Sequence, residues 1–188
     1  EWLESRITQE EIYWTPTGDS IFTAIFGIDN NYTPILINEV MLRNKDYYED
    51  NFQEFDDWTE LFNPNNYDIN ISGCKISKGL DSWTIPNGTI ITANNYLIFW
   101  NDNETYQGSN HLNFKLQNVA DIVYLKTASN ETIDSLAYTE TSKNQSYGRY
   151  PNGSPDYMVF DFPTPKMNND ISGTEEVFIS QPLIAYPN

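Results

Sequence analysis

Ile122-Val-Tyr-Leu-Lys-Thr127 and Thr132-Ile-Asp-Ser-Leu-Ala-Tyr138, with Ala128-Ser-Asn-Glu131 between them, decide the fold class. Both runs are strand-length and rich in β-branched and aromatic residues, and Asn130 marks a turn. Strand side chains alternate between two faces, so Val123 and Leu125 are predicted to share a buried one. The same grammar extends outward. Strands are expected near Ile35–Leu42, Trp58–Asn63, Tyr67–Ser72, Lys75–Ser77, Trp83–Ile85, Tyr96–Asn101, Tyr147–Tyr150 and Tyr157–Phe160. Turn signals fall between them at Asn63-Pro64, Asn66, Pro86-Asn87-Gly88, Asn94-Asn95 and Pro151-Asn152-Gly153. Short strands at roughly 8–12-residue spacing, without helical periodicity, predict an antiparallel sandwich. Its core should hold Trp58, Leu61, Leu97, Phe99, Val123 and Leu125.

Composition agrees. Of 188 residues, 39% are hydrophobic and 15% aromatic, ample for a core. The net charge of −17, with only 10 basic residues, argues against nucleic acid, because such binding rests on Lys and Arg replacing counterions. It also disfavours anionic membrane surfaces. No apolar run reaches the ~18–20 residues of a membrane span. With Cys74 alone there is neither an intrachain disulfide nor a thiolate zinc cluster, which fits a bacterial surface protein and equally allows a cytosolic chain. The chain starts at Glu1 without an initiator Met or signal peptide, and reads as a piece of something longer.

Three zones separate. Residues 1–34 read as the end of an upstream β-rich unit and a linker, including the alternating run Ser20-Ile-Phe-Thr-Ala-Ile-Phe26. Within it, Glu1 to Glu11 suits either a short helix or part of a meander. Residues 35–168 hold the dense strand pattern. Residues 169–188 read as a linker and the start of a C-terminal unit, with a weak strand at Glu176-Val-Phe-Ile179.

A family resemblance emerges from phrases taken in order. They are Ile35-Leu-Ile-Asn-Glu-Val40, Asp57-Trp-Thr-Glu-Leu-Phe-Asn-Pro64, Ile71-Ser-Gly-Cys74 and Trp83-Thr-Ile-Pro-Asn-Gly-Thr89. Then follow Tyr96-Leu-Ile-Phe-Trp100, Asn113-Phe-Lys-Leu116, Ile133-Asp-Ser135, Ser146-Tyr-Gly-Arg-Tyr-Pro-Asn-Gly153 and Thr164-Pro165 with Asn168. The series resembles bacterial lamin-tail domains. That resemblance implies an immunoglobulin-like antiparallel β-sandwich with a short N-terminal extension, no catalytic activity, and a place in a secreted or cell-surface multidomain protein. Two departures stand out: a longer, more acidic loop from Asn44 to Phe55, and Lys166-Met167 where a Gly commonly follows Thr-Pro. The flanks are similar to an internalin-type B-repeat (Glu1 to Phe26) and to the opening of a C-terminal secretion-sorting domain (Pro182 to Asn188).

Several groups invite chemistry. Asp46, Glu49, Asp50, Glu54, Asp56, Asp57 and Glu60 crowd one stretch, and Asn101-Asp-Asn-Glu104 is a second oxygen-rich turn. Calcium takes such ligands, but the spacing matches no EF-hand, so a solvated acidic loop is the reading adopted. Glu60 shares a strand face with Trp58 and Phe62, and Arg149 lies among aromatics, so an ion pair of Arg149 with Glu60 or Glu39 is expected. The alternative, Glu39 and Glu60 as a glycosidase-like pair, requires a sugar-sized cleft between them. His111 is taken as a surface residue, and no nucleophile motif accompanies it or Cys74. Tyr47, Tyr48, Phe52, Tyr106 and Tyr157 lie near loops and suit stacking on a sugar.

No catalytic, cofactor-binding or metal-ligating residue is assigned, and no cofactor is expected. The expected function is a monomeric, non-catalytic binding or tethering module. Its partner would be a surface polymer or protein, with carbohydrate as one candidate, and neither nucleic acid nor membrane insertion is expected. A purely structural spacer is the alternative, and a carbohydrate-binding part of a secreted hydrolase ranks below it.

Overall fold

The structure is a computed structural model that describes residues 34–169. The readings placed on residues 1–33 and 170–188, including both flanking resemblances, lie outside the described residues.

Eleven strands follow in order: β1 (Leu36–Met41), β2 (Trp58–Phe62), β3 (Ile69–Asn70), β4 (Lys75–Lys78), β5 (Asp81–Thr84), β6 (Ile90–Ile91), β7 (Tyr96–Trp100), β8 (Asp121–Lys126), β9 (Thr132–Tyr138), β10 (Ser146–Arg149) and β11 (Tyr157–Phe160). A single 3-10 turn, Thr105–Gln107, is the only helical element among the described residues. One sheet has five strands, ordered β11-β10-β1-β2-β7, and another has four, ordered β5-β4-β8-β9. A two-stranded ribbon, β3-β6, completes the fold. Every pairing within the sheets is antiparallel. This is the expected all-β, immunoglobulin-like sandwich.

Local chemistry explains the turns. Asn130 between β8 and β9 adopts φ 72°, a left-handed conformation that Asn tolerates better than most residues. Its amide donates to the Thr127 carbonyl at 3.0 Å, closing the turn. The ribbon strand β6 escapes sequence reading because two residues carry no periodicity. The predicted strand at Tyr67–Ser72 shrinks to β3, since the Asn70 side chain accepts from the Ser72 amide at 2.9 Å and turns the chain.

The core lies between the sheets. Ile37, Val40, Leu61 and Phe99 meet Ile76, Val123, Leu125, Leu136 and Tyr138. Trp58, Leu61, Phe99, Val123 and Leu125 are buried as expected. Leu97 is only half-buried, because β7 is the edge of its sheet and has β2 alone beside it.

The outer face of the five-stranded sheet is covered too. Met41, Trp58, Ile98 and Trp100 form a second apolar cluster there, against which Tyr48 packs. All six residues of β1 are therefore buried, and the strand reads as a continuous apolar run broken only by Asn38 and Glu39.

Strand alternation corrects the expected ion pair. Tyr147 packs on the inter-sheet core, and Arg149, two residues on, shares its face. Glu39 instead stands beside Gly148 in register, and Glu39 and Glu60 project from the outer face. Arg149 consequently pairs with Asp134 of β9, its Nη2 reaching the two carboxylate oxygens at 2.9 and 3.0 Å. Its Nε donates to the Ile37 carbonyl at 3.0 Å and Nη1 to the Ser154 carbonyl at 2.6 Å. Asp134 also accepts the Ile37 amide at 2.7 Å. One guanidinium thus ties β10, β1 and β9 together across both sheets.

Candidate functional site

Glu39 and Glu60 face one another on paired strands and are wholly buried. Glu39 accepts from the Ser146 hydroxyl, from the Thr164 amide at 3.1 Å and from the Thr164 hydroxyl at 2.8 Å. Glu60 accepts from the Asn38 amide group at 3.1 Å and the Lys166 backbone amide at 2.6 Å. The tail segment that supplies Thr164 and Lys166 seals the pair, and Asn169 pins it further, donating from its amide side chain to the Arg149 carbonyl at 2.8 Å. Among the described residues the two carboxylates are fully buried side by side on paired strands, which leaves no room for a sugar between them. They act as a clasp for the tail.

Burial, and then the neighbouring Glu39 charge, pushes the Glu60 carboxyl up to about 8. Burial raises Glu39 as well, against the hydrogen bonds from Ser146 and Thr164. With folded-state values above the unfolded ones, the folded chain binds more protons from the ordinary carboxylate range to about pH 8. The associated stability is full at acid pH and is lost as pH rises through 8. Glu39→Gln should flatten that loss. The new amide can donate to the Thr164 hydroxyl, which then turns to the Asn169 carbonyl oxygen at 2.9 Å. We expect a gain in stability at pH 8.5, where one of two buried like charges is gone, and little change at pH 5. Urea titrations at the two pH values check this, and a variant that loses stability at both contradicts it.

The acidic stretch 46–60 does not act as one group. Asp46 pairs with Lys143 at 2.6 Å, and Asp57 accepts the Asn44 amide at 3.0 Å. Asp50, Glu54 and Asp56 gather elsewhere, one carboxylate oxygen of each lying within 4.8 Å of the others. Their loop is shaped by Asp50, whose Oδ1 accepts the Phe52 and Glu54 amides at 2.7 and 2.9 Å. The second oxygen-rich turn comes to meet them. Asp102 takes the Glu104 amide at 2.9 Å on one oxygen and the Nδ1 of His111 on the other. The Gln107 amide group then bridges Glu54 and Glu104, at 2.6 Å to each.

His111 is not on the surface; it is fully buried. A β-bridge pairs it with Trp100, whose carbonyl accepts the Leu112 amide at 2.8 Å and draws the segment against β7. The imidazole lies over Trp100 (centroids 6.5 Å apart) and under the edge of Phe52 (5.9 Å). Its Nε2 is 4.0 Å from Asp50 Oδ2, and both atoms are buried with no hydrogen-bond partner among the described residues. Crowding has a further sign: burial, then the Asp102 charge, pushes Asp56 up to about 6, against the pull of Lys115. Sequence reasoning dismissed His111 and never joined it to Asp50 or Asp102. No local spacing encodes that meeting.

The loop aromatics divide. Tyr48 stacks on Trp100 at 5.8 Å, Tyr157 stacks on Tyr147 at 6.0 Å, and the Tyr47 hydroxyl donates to the Pro163 carbonyl at 2.8 Å. These three are structural. Phe52 and Tyr106 stay 47% and 80% exposed beside the acidic cluster, with the Tyr106 hydroxyl on Glu104 at 2.9 Å. Cys74 is buried, and burial pushes its thiol up to about 11, which disables it as a nucleophile.

Residues 29–140 match the family model of the lamin tail domain. Neither the curated proteins nor the solved structures return a significant match. β10 and β11 lie beyond the matched stretch, yet β10 pairs with the central strand β1. With more than half of its length matched and the sandwich fold in place, the chain belongs to the lamin tail domain family, a family of generally non-catalytic immunoglobulin-like domains.

Proposed function

We propose that this chain is a non-catalytic binding or tethering module of a secreted or cell-surface protein, and that it contacts a neutral polysaccharide of that surface. The observation that carries the reading is the exposure of Phe52 and Tyr106 beside a recessed cluster of carboxylates and the Gln107 amide. Flat aromatic faces next to hydrogen-bonding side chains suit sugar rings. The net charge of −17 repels anionic polymers and leaves neutral ones as the better fit. Against catalysis, the Glu39–Glu60 pair is sealed and Cys74 is buried.

Affinity electrophoresis of the full chain through gels containing xylan, mannan or mixed-linkage β-glucan tests this. Retardation by at least one polymer is expected, and the double variant Phe52→Ala/Tyr106→Ala should weaken it at least about fivefold, at about 0.5–1.5 kcal/mol per lost stacking contact. Equal retardation of both proteins moves binding to another face. No retardation in any gel favours the structural spacer instead.

A further inference from the structure

We propose that Asp50 and His111 ligate a divalent transition cation, Zn2+ being the best fit, with Glu54 and Asp56 as further oxygen ligands and Asp102 positioning the imidazole. This does not depend on the polysaccharide reading. The geometry begins with Asp102. With Asp102 accepting from Nδ1 of His111, the neutral ring carries its lone pair on Nε2. That lone pair faces Asp50 Oδ2, another acceptor, 4.0 Å away. Two buried acceptors facing one another without a donor are costly. A cation between them removes the conflict, and a carboxylate behind a ligating histidine is the usual support for one.

The donor set selects the ion. One imidazole nitrogen with carboxylate oxygens suits zinc, whereas calcium takes oxygen ligands alone. Bonds of about 2.0–2.2 Å at a tetrahedral angle place N and O about 3.4 Å apart. Closing from 4.0 Å needs about 0.6 Å, which rotation of the Asp50 side chain supplies. Glu54 and Asp56 already have an oxygen each within 4.8 Å of one on Asp50, and Glu54 is exposed, which gives an ion a way in.

The chain has one histidine, so its ring resonances report the site without ambiguity. Chelator-stripped full chain titrated with ZnCl2 should bind one equivalent, shift the His111 ring signals and raise Tm by several degrees. Asp50→Asn keeps the Oδ1 contacts to Phe52 and Glu54 and points an amide donor at Nε2. It should fold with an unchanged or higher Tm and lose the zinc response. Asp102→Asn offers a donor to Nδ1, moves the ring proton to Nε2 and should weaken zinc binding 10–100-fold, with the tautomer change visible in the ring 15N shifts. Three results would overturn the assignment: no zinc binding by the wild type, binding that leaves the His111 signals unmoved or survives Asp50→Asn, or a calcium shift as large as that from zinc.

Discussion

Replacing Arg149 by alanine is expected to destabilise the domain by about 3–5 kcal/mol, the range for stranding one member of a buried ion pair. The guanidinium joins β10 to β1 through the Ile37 carbonyl and to β9 through Asp134, and it also holds the Ser154 carbonyl in the β10–β11 connection. Its removal leaves the Asp134 carboxylate with a single donor, the Ile37 amide, in a largely buried position. It also strips a cation from the face of Tyr157, whose centroid lies 4.9 Å away. A fall in Tm on the order of 10 °C should accompany the loss. Arg149→Lys should recover little, because an ammonium cannot reproduce the forked contacts. Asp134→Asn in the Arg149→Ala background should recover part, since it removes the stranded charge. Urea unfolding of the three variants checks the set; a loss under 1 kcal/mol for Arg149→Ala would reduce the pair to the status of a surface bridge.

Gly148→Ala should cost about 3 kcal/mol, at the upper end of overpacking, although it adds one methyl group. The reason is space and not backbone conformation. A Cβ on Gly148 would sit 2.7 Å from the Asn38 carbonyl oxygen, 3.0 Å from Glu39 Cγ and 3.1 Å from Asn169 Nδ2. The nearest of these is backbone of the central strand, which cannot yield without opening the β10–β1 ladder. Adding Glu39→Ala relieves one contact but leaves the carbonyl in place, so the double variant should not recover. Its recovery would show that the side chain, and not the strand spacing, sets the limit.

Most of the sandwich was legible because strand signals are local. Alternation placed Val123 and Leu125 inside, and the turn residue Asn130 marked the β8–β9 connection. What failed was chosen by tertiary placement. An ion pair of Arg149 with Glu60 or Glu39 follows from their aromatic neighbours, but face assignment depends on which strand lies alongside. The register of β1 against β10 put Glu39 on one side and Arg149 on the other. Asp134 belongs to a strand of the opposite sheet, out of reach of any local pattern. His111 follows the same logic: its burial comes from a single bridge to Trp100 and a phenylalanine from a distant loop. The acidic run looked uniform in sequence, yet folding split it into an acceptor for the Asn44 amide, a surface pair, half of a clasp and a cluster around Asp50.

The clasp has a mechanical meaning. Asn38, near the beginning of the first strand, and Asn169, the last described residue, are bonded side chain to side chain at 3.1 Å. A pull that separates the tail from β1 therefore has to break this amide bond, the contacts of Glu39 with Thr164 and the bond of Glu60 to Lys166. Tension on the tail is thus met by polar side chains of the central strand β1 and its neighbour β2.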